Sequence, residues 1–379
     1  MKILIAGGGT GGHVFPGIAV AEELRASYPN VKVLFVGGRR GLEAQAVPEA
    51  GFPLRTLATA GFPRRRWWRW PWAALVNAFG FVQAVWLVMS ERPRAVLGTG
   101  GYVSGPVSVA AKLFGVPLLL QEQNSIPGLT NRWLARIADE VHLSFLEARR
   151  YFPRRDHLKV TGNPVRAYIL AGEREPALRE FHLDPGQPTL FVFGGSLGAK
   201  RINGAAVDAL RRLKGRVAVQ CILQTGREEY EAVSQIVERE QLPATVLPFV
   251  RKMHLAYAAA DLVVCRAGAM TLAEIAVCGR PSILVPYPFA AHDHQRVNAA
   301  NLADRGAAVV IEDADLTGER LAQEIAHLLS DKTTLSRMSA NARLFARPDA
   351  AARLARSLVS WAEGNAGGAA AEQAVEEGQ

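Results

Sequence analysis

Cysteine is scarce in this 379-residue chain: Cys221, Cys265 and Cys278 are all there are, at spacings that match no metal-ligand motif. That excludes a cysteine metal centre, and the apolar runs around Cys221 and Cys265 make them small core residues of a reducing compartment. Acid is also short, with 35 Asp and Glu against 44 Lys and Arg, a formal charge of +9. The excess calls for an anionic partner. No RNA- or DNA-binding motif accompanies it, so nucleic acid is not expected and a phosphate ligand or an anionic membrane is. The N-terminal "MKILIAGGG" is too short and wrongly flanked for a signal peptide, which predicts a protein made and kept in the cytoplasm. From Trp70 to Ser90 there is no charged side chain at all. The run is just long enough to span a bilayer, but Pro71, Asn77, Gly80 and Gln83 dilute it, and strand-like runs on both sides belong to one sheet. A sheet-covering helix and an interfacial patch remain. The patch reading draws on "RRRWWRW" just before it (Arg64, Arg65, Arg66, Trp67, Trp68 and Trp70 carry it), since arginine beside tryptophan suits an anionic headgroup zone.

What is present is a globular composition, 49% hydrophobic and 21% charged, in a chain long enough for two domains. Short β-branched runs alternate with helical patterns, the mark of βα units around parallel sheets. The first series is "KILIAG", "VKVLFVG", a weaker "LRTLA", "AVLGTG", "LLLQEQ", "EVHLS" and "KVTGNP". The second is "TLFVFGG", "VAVQCILQTG", "ATVLPFV", "LVVCRAG", "PSILVP" and "AAVVIED", and it opens like the first on a strand running into a glycine loop. The expected fold is α/β, two doubly wound Rossmann-like domains facing a central cleft. The expected domains are 1–163 and 164–345, with a helix near 346–363 packing back on the first and a low-complexity tail over 364–379.

Several stretches carry chemistry. "GGGTGGHVFPG" has the Gly7-x-Gly9-x-x-Gly12 spacing of a dinucleotide-binding turn, but the second strand ends in Arg39 and Arg40 where that reading wants an acid. An arginine there suits a 2′-phosphate; the competing reading is a glycine loop that holds His13 as a base. In "LVVCRAGAMTLAE" a strand meets a small-residue turn and a helix opening near Thr271, whose N–H groups suit a diphosphate, with Glu274 one turn deeper facing a ribose. A capping box between Thr271 and Glu274 explains the same spacing. His292, Asp293, His294, Gln295 and Asn298 crowd the next strand mouth; they match no zinc spacing and suit sugar hydroxyls better. Asn124 and Arg166 stand at further strand ends, and for each a purely structural hydrogen bond is the alternative.

Together "GGGTGGHVFPGIAVAEEL", "GTGGYVSGP", "QEQNSIPGLTNR", "TGNPVR", "FGGSLGA" and "CRAGAMTLAEI" resemble the MurG family over roughly residues 1 to 360. These are the bacterial GT-B enzymes that add N-acetylglucosamine to the lipid-linked muramoyl-pentapeptide of peptidoglycan. The resemblance implies UDP-N-acetylglucosamine as donor substrate, no required cofactor or metal, and peripheral work on the cytoplasmic face of the plasma membrane beside cell-wall synthesis and division proteins. It also implies donor contacts from Thr10, Gly11, Gly12, Asn124, Arg166 and Ser196, from Val250 to uracil, from Ala269, Met270, Thr271, Leu272, Ala273 and Glu274 to phosphates and ribose, and from Gln295 to the sugar. Gly100, Gly101 and Tyr102 are expected at the acceptor diphosphate. An α-linked donor giving a β-linked product needs one inverting displacement and a base, and His13 at a helix N-terminus should stay neutral for that work. Rival readings are a UDP-N-acetylglucosamine 2-epimerase, another GT-B lipid glycosyltransferase, and a non-catalytic UDP-sugar-binding protein at the membrane.

Overall fold

The computed structural model describes residues 1–39, 41–61, 68 and 70–365. Arg40, Arg64, Arg65, Arg66, Trp67 and the tail from residue 366 onward, all singled out above, lie outside the described residues. The chain divides into two compact units, one of residues 1–166 with the C-terminal stretch from Arg347, the other Ala167–Ala346.

The first unit runs β1 (Lys2–Gly7), α1 (Gly11–Ser27), β2 (Lys32–Gly38), α2 (Glu43–Glu49), β3 (Leu54–Leu57), α3 (Trp70–Glu91), β4 (Ala95–Gly100), α4 (Ser104–Leu113), β5 (Leu118–Glu122), α5 (Leu129–Leu134), β6 (Glu140–Leu143) and β7 (Leu158–Val160). Its parallel strands are ordered β3-β2-β1-β4-β5-β6-β7. The order reverses between β1 and β4, the place where such sheets bind ligands. Alternate residues of β1 feed opposite layers: Ile3 and Ile5 pack with Ile18, Leu24 and Phe35, and Leu4 and Ala6 with Val36, Val96 and Leu120. Both faces are therefore dry, which is why these strands read as continuous apolar runs.

The second unit holds α6 (Arg174–Glu180), β8 (Thr189–Phe193), α7 (Lys200–Leu213), β9 (Gln220–Gln224), α8 (Tyr230–Arg239), β10 (Ala244–Leu247), α9 (Met253–Ala259), β11 (Leu262–Cys265), α10 (Ala269–Cys278), β12 (Ser282–Leu284), α11 (His294–Ala303), β13 (Ala308–Val310), α12 (Gly318–Ser330) and α13 (Lys332–Leu344). The order β10-β9-β8-β11-β12-β13, again all parallel, repeats the reversal between β8 and β11. The last helix, α14 (Ala350–Glu363), returns to the first unit and buries Leu354, Leu358 and Val359 in its core. Each such side chain contributes about 2 kcal/mol of burial. Glu140 of β6 anchors the same helix: it accepts from Trp361 Nε1 at 3.1 Å and from Ser357 Oγ, and pairs with His142 at 2.7 Å and Lys159 at 3.0 Å. All three thiols are free; burial pushes the core thiols Cys221 and Cys265 far up and the half-buried Cys278 to about 12.

Helix α3 covers the sheet with one face only. Ala73, Gly80, Ala84, Leu87 and Val88 are buried, and the residues that dilute its hydrophobicity clamp the chain after β3. Gln83 Oε1 accepts from the Ala58 N–H (2.9 Å), while Asn77 both accepts from and donates to the backbone of Ala60 (3.0 and 2.9 Å). The opposite face shows Trp72, Leu75, Phe79, Val82, Trp86 and Met89 to solvent, a row at helical spacing.

Candidate functional site

In the first unit the site grows from three turns at the carboxyl ends of β1, β2 and β4. After β1 the chain passes through Gly8 and Gly9 to Thr10, the N-cap of α1, whose side chain makes no capping bond. Gly11, Gly12 and His13 form the first helical turn, and Pro16 withholds the N–H that would close on the Gly12 carbonyl. The His13 ring turns toward the end of β4. Its Nδ1 lies 3.0 Å from the Thr99 carbonyl and 3.1 Å from Gln123 Oε1. Both are acceptors, so Nδ1 carries a proton, and in the neutral ring Nε2 is the acceptor atom. Gln123 is held in turn: its Nε2 donates to the Thr99 carbonyl at 2.8 Å and to the Gln121 carbonyl at 3.1 Å. Asn163 donates to the Gln123 carbonyl and accepts from Gln121 Nε2, each at 3.1 Å. This buried amide network fixes the ring from behind. Gly100, at φ +105°, must be glycine, because a Cβ there would sit against the His13 ring. Gly101 follows at φ +83°, and Tyr102 is 62% exposed at the same turn.

Asn124 sits in a loop ordered by Glu122. That buried carboxyl accepts from the Asn124 N–H (3.0 Å), the Gly128 N–H (3.2 Å) and Asn131 Nδ2 (2.9 Å), and burial pushes its pKa up against those bonds. Arg166 ends the unit with its guanidinium 4.6 Å from the centre of the Phe15 ring on α1. Burial raises the neighbouring Glu22 carboxyl, and the Arg166 charge tempers the rise.

In the second unit the helix after β11 starts two residues earlier than expected. Gly268 is the N-cap of α10, so Thr271 is the third helical residue and the capping-box reading of Thr271 with Glu274 fails. Gly268 has no side chain with which to cap, so the first-turn backbone N–H groups of Ala269, Met270 and Thr271 define the positive end. Leu272 is buried in the helix's inner face and Ala273 half-buried beside it. Glu274 Oε2 accepts from the buried Tyr257 hydroxyl at 2.9 Å, which fixes its rotamer. Asn298 is a brace rather than a ligand group, donating to the Ala267 carbonyl at 3.4 Å from full burial. Gln295 accepts from the Tyr287 N–H at 3.0 Å, and His294 donates through Nδ1 to the Ala291 carbonyl at 2.7 Å. The turn before them is strained, with His292 and Asp293 at φ +53° and +57°, a cost of about 1–2 kcal/mol each for residues with a Cβ. After β8, Ser196 is exposed on the glycine loop. Gln224 ties that loop to Val250: its Nε2 donates to the Gly195 carbonyl at 2.8 Å and its Oε1 accepts from the Val250 N–H at 3.1 Å.

Four features escaped the sequence reading: Glu43, the Gln121–Gln123–Asn163 network, Gln224, and a cavity of about 610 Å³ beside α5. That cavity is lined by Arg132, Arg136, Arg150 and Arg155 together with Leu129 and Trp133. Its arginines stack on aromatics, Arg136 over Trp133 at 4.7 Å and Arg150 over Tyr151 at 5.0 Å.

Residues 3–143 match the glycosyltransferase family 28 N-terminal domain and residues 189–354 the family 28 C-terminal domain. The chain is 46% identical over 365 residues to the UDP-N-acetylglucosamine–N-acetylmuramyl-(pentapeptide) pyrophosphoryl-undecaprenol N-acetylglucosamine transferase of Chlorobaculum parvum, covering 95% of this chain and 99% of the relative. The crystal structure of Acinetobacter baumannii MurG superposes with a TM-score of 0.75 at 31% identity, covering 95% and 99% of the two chains. A UDP-N-acetylglucosamine 2-epimerase, at TM-score 0.65 and 15% identity over 95% and 96%, shares the fold. With both domain types in order and near half of its residues shared along almost the whole length of a relative, the chain belongs to glycosyltransferase family 28.

Proposed function

We propose that the protein transfers N-acetylglucosamine from UDP-N-acetylglucosamine to the 4-hydroxyl of muramic acid in a lipid-linked muramoyl-pentapeptide, inverting the anomeric carbon. Identity of 46% over 95% of the chain to a transferase so named supports the substrates. The observation that carries the mechanism is the His13 ring, whose Nδ1 faces two acceptors. Nε2 is then the atom that takes the 4-hydroxyl proton as that oxygen attacks. UDP leaves with its diphosphate on the first turn of α10, helped by Ser196 and Arg166, with Glu274 toward the ribose, Gln295 toward the sugar and the Val250 carbonyl toward uracil. Thr10, Gly11, Gly12 and Asn124 are assigned to the donor, and Gly100, Gly101 and Tyr102 to the acceptor diphosphate. Helix N–H groups supply the charge stabilisation, so this reading asks for no metal. Transfer of labelled sugar to a short-chain acceptor, with a β-linked disaccharide product, tests it. Formation of UDP-N-acetylmannosamine without acceptor would instead mark an epimerase, preference for diacylglycerol another lipid transferase, and donor binding without turnover a binding protein.

The first unit docks peripherally, in this reading, on the cytoplasmic face of the plasma membrane. The exposed apolar row of α3, with Trp68 and Trp70 at 61% and 49% exposure leading into it, supports this. So does the arginine cavity beside α5, whose rim residue Trp133 is 69% exposed. Co-sedimentation with anionic but not zwitterionic liposomes, weakened by salt, is the expected result; equal binding to both would remove the arginines from the account. Cell-wall synthesis and division proteins are the expected neighbours there.

A further inference from the structure

We infer that Glu43 is a resident anion in the first glycine loop: its carboxylate fills the backbone pocket that a Gly7-x-Gly9-x-x-Gly12 turn otherwise offers to a phosphate, and so locks the loop that presents His13. In dinucleotide-binding turns the loop N–H groups point at a pyrophosphate. Here the Gly9 N–H donates to Glu43 Oε2 and the Gly38 N–H to Glu43 Oε1, each at 2.8 Å. Both partners are backbone N–H groups, as a bound phosphate's would be. The carboxylate is built in rather than passing by: Glu43 opens α2 and is only 2% exposed. A Cβ at Gly8 or Gly41 would collide with its carboxyl, so glycine on both sides makes the room. The dinucleotide reading of the loop is closed by the same contacts, since the Gly9 N–H already has its anion.

The lock reaches the reacting group through the loop. Gly101 packs so closely on the Gly8 carbonyl that no Cβ fits between them, and a Cβ at Gly100 would press on the His13 ring. One carboxylate therefore ties the turn after β2 to the turn after β1, on which the turn after β4 rests. Glu43 touches no substrate in this scheme; it is a positioning residue, and its role rests on the reading of His13 as base.

The Glu43→Ala enzyme leaves two N–H donors around an empty anion hole. Expected is a fall in kcat of about 100-fold, the cost of a loop displaced near 1 Å, with a smaller rise in donor Kd because Thr10, Gly11 and Gly12 follow on the same loop. Acetate at tens of millimolar should restore about tenfold of that loss by refilling the hole, while chloride at equal ionic strength should not. Glu43→Gln keeps the volume but sets an amide NH2 against a backbone N–H. It should lose kcat and stay insensitive to acetate. A folded Glu43→Ala enzyme with wild-type kcat, or with a loss that acetate leaves unchanged, overturns the assignment. Where circular dichroism shows Glu43→Ala unfolded, Glu43→Gln decides: wild-type kcat and KM there overturn it. His13→Ala, run in parallel, separates the two ideas, because an active His13→Ala beside an acetate-dependent Glu43→Ala removes the base but keeps the resident anion.

Discussion

The turn after β1 and the turn after β8 occupy the same place in their sheets, each at the strand where the order reverses, and each is glycine-rich. They are clamped by opposite chemistry. In the first unit the clamp is a carboxylate, Glu43, accepting from two backbone N–H groups. In the second it is a neutral amide, Gln224, which gives one hydrogen bond to the Gly195 carbonyl and takes one from the Val250 N–H. A loop that already contains an anion is a poor place for a phosphate and a good frame for a base. A loop closed by an amide adds no negative charge beside the proposed UDP site. On the proposed mechanism, two copies of one fold are set to separate tasks by one side chain each, which the shared glycine pattern alone does not reveal.

The largest expected effect is on the base. His13→Ala should lower kcat by about 10²–10⁴, with donor affinity held because His13 is not among the residues assigned to the donor. Next comes the helix that completes the first unit. Burial opposes the Glu140 charge, yet the hydrogen bond and charge of His142, the Ser357 hydroxyl and Lys159 hold its carboxyl well below the usual carboxylate range. Glu140→Gln should cost about 3 kcal/mol in urea unfolding near neutral pH. A folded pKa below the unfolded value gives stability that is full above about pH 4.3 and lost as pH falls toward the folded pKa, so the acid-side slope should shrink in the variant. An unchanged slope would remove Glu140 as the anchor of α14.

Smaller effects sharpen the contrast between the two loops. Gln224→Glu places a carboxylate under the second loop and loses the bond to Gly195; donor KM should rise about tenfold with little change in kcat at saturation. An unchanged KM would show that the amide clamp is indifferent to charge. On the surface, Trp72→Ser with Phe79→Ser and Trp86→Ser should leave turnover of a soluble short-chain acceptor within about twofold, and weaken liposome binding several-fold. Equal liposome binding would move the membrane contact away from α3.

Much of the fold was legible because both sheets are buried on both faces, so each strand stands out as an apolar run ended by glycine. What ran long were the strand ends: "KVTGNP" supplies only Lys159 and Val160 of the strand Leu158–Val160, since Thr161 and Gly162 already turn, both bonding back to Leu143. The small-residue turn after β11 points to a helix start near Thr271, two residues late, because the true cap is Gly268 and a glycine cap leaves no side-chain signal. Glu43 was hidden for a related reason. In "RRGLEAQ" it looks like a solvated helix residue, and only the juxtaposition of glycines from two separate turns makes it a buried acceptor. The composition of the uncharged run before Ser90 does not show its role, which lies in the spacing of Trp72, Leu75, Phe79, Val82 and Trp86 on one exposed face. His13 was legible as a base candidate from its glycine loop, but the choice of nitrogen needed Thr99 and Gln123, which lie far away in the chain.

The central claim is that His13, held through Nδ1, accepts the acceptor's proton at Nε2. Single-turnover transfer from labelled UDP-N-acetylglucosamine to a short-chain lipid-linked muramoyl-pentapeptide, in wild type and His13→Ala with donor binding measured on the same samples, tests it most directly. Expected is a transfer step slowed by about 100-fold or more in the variant while donor Kd stays put. Transfer at the wild-type rate by a variant that binds donor normally would contradict it.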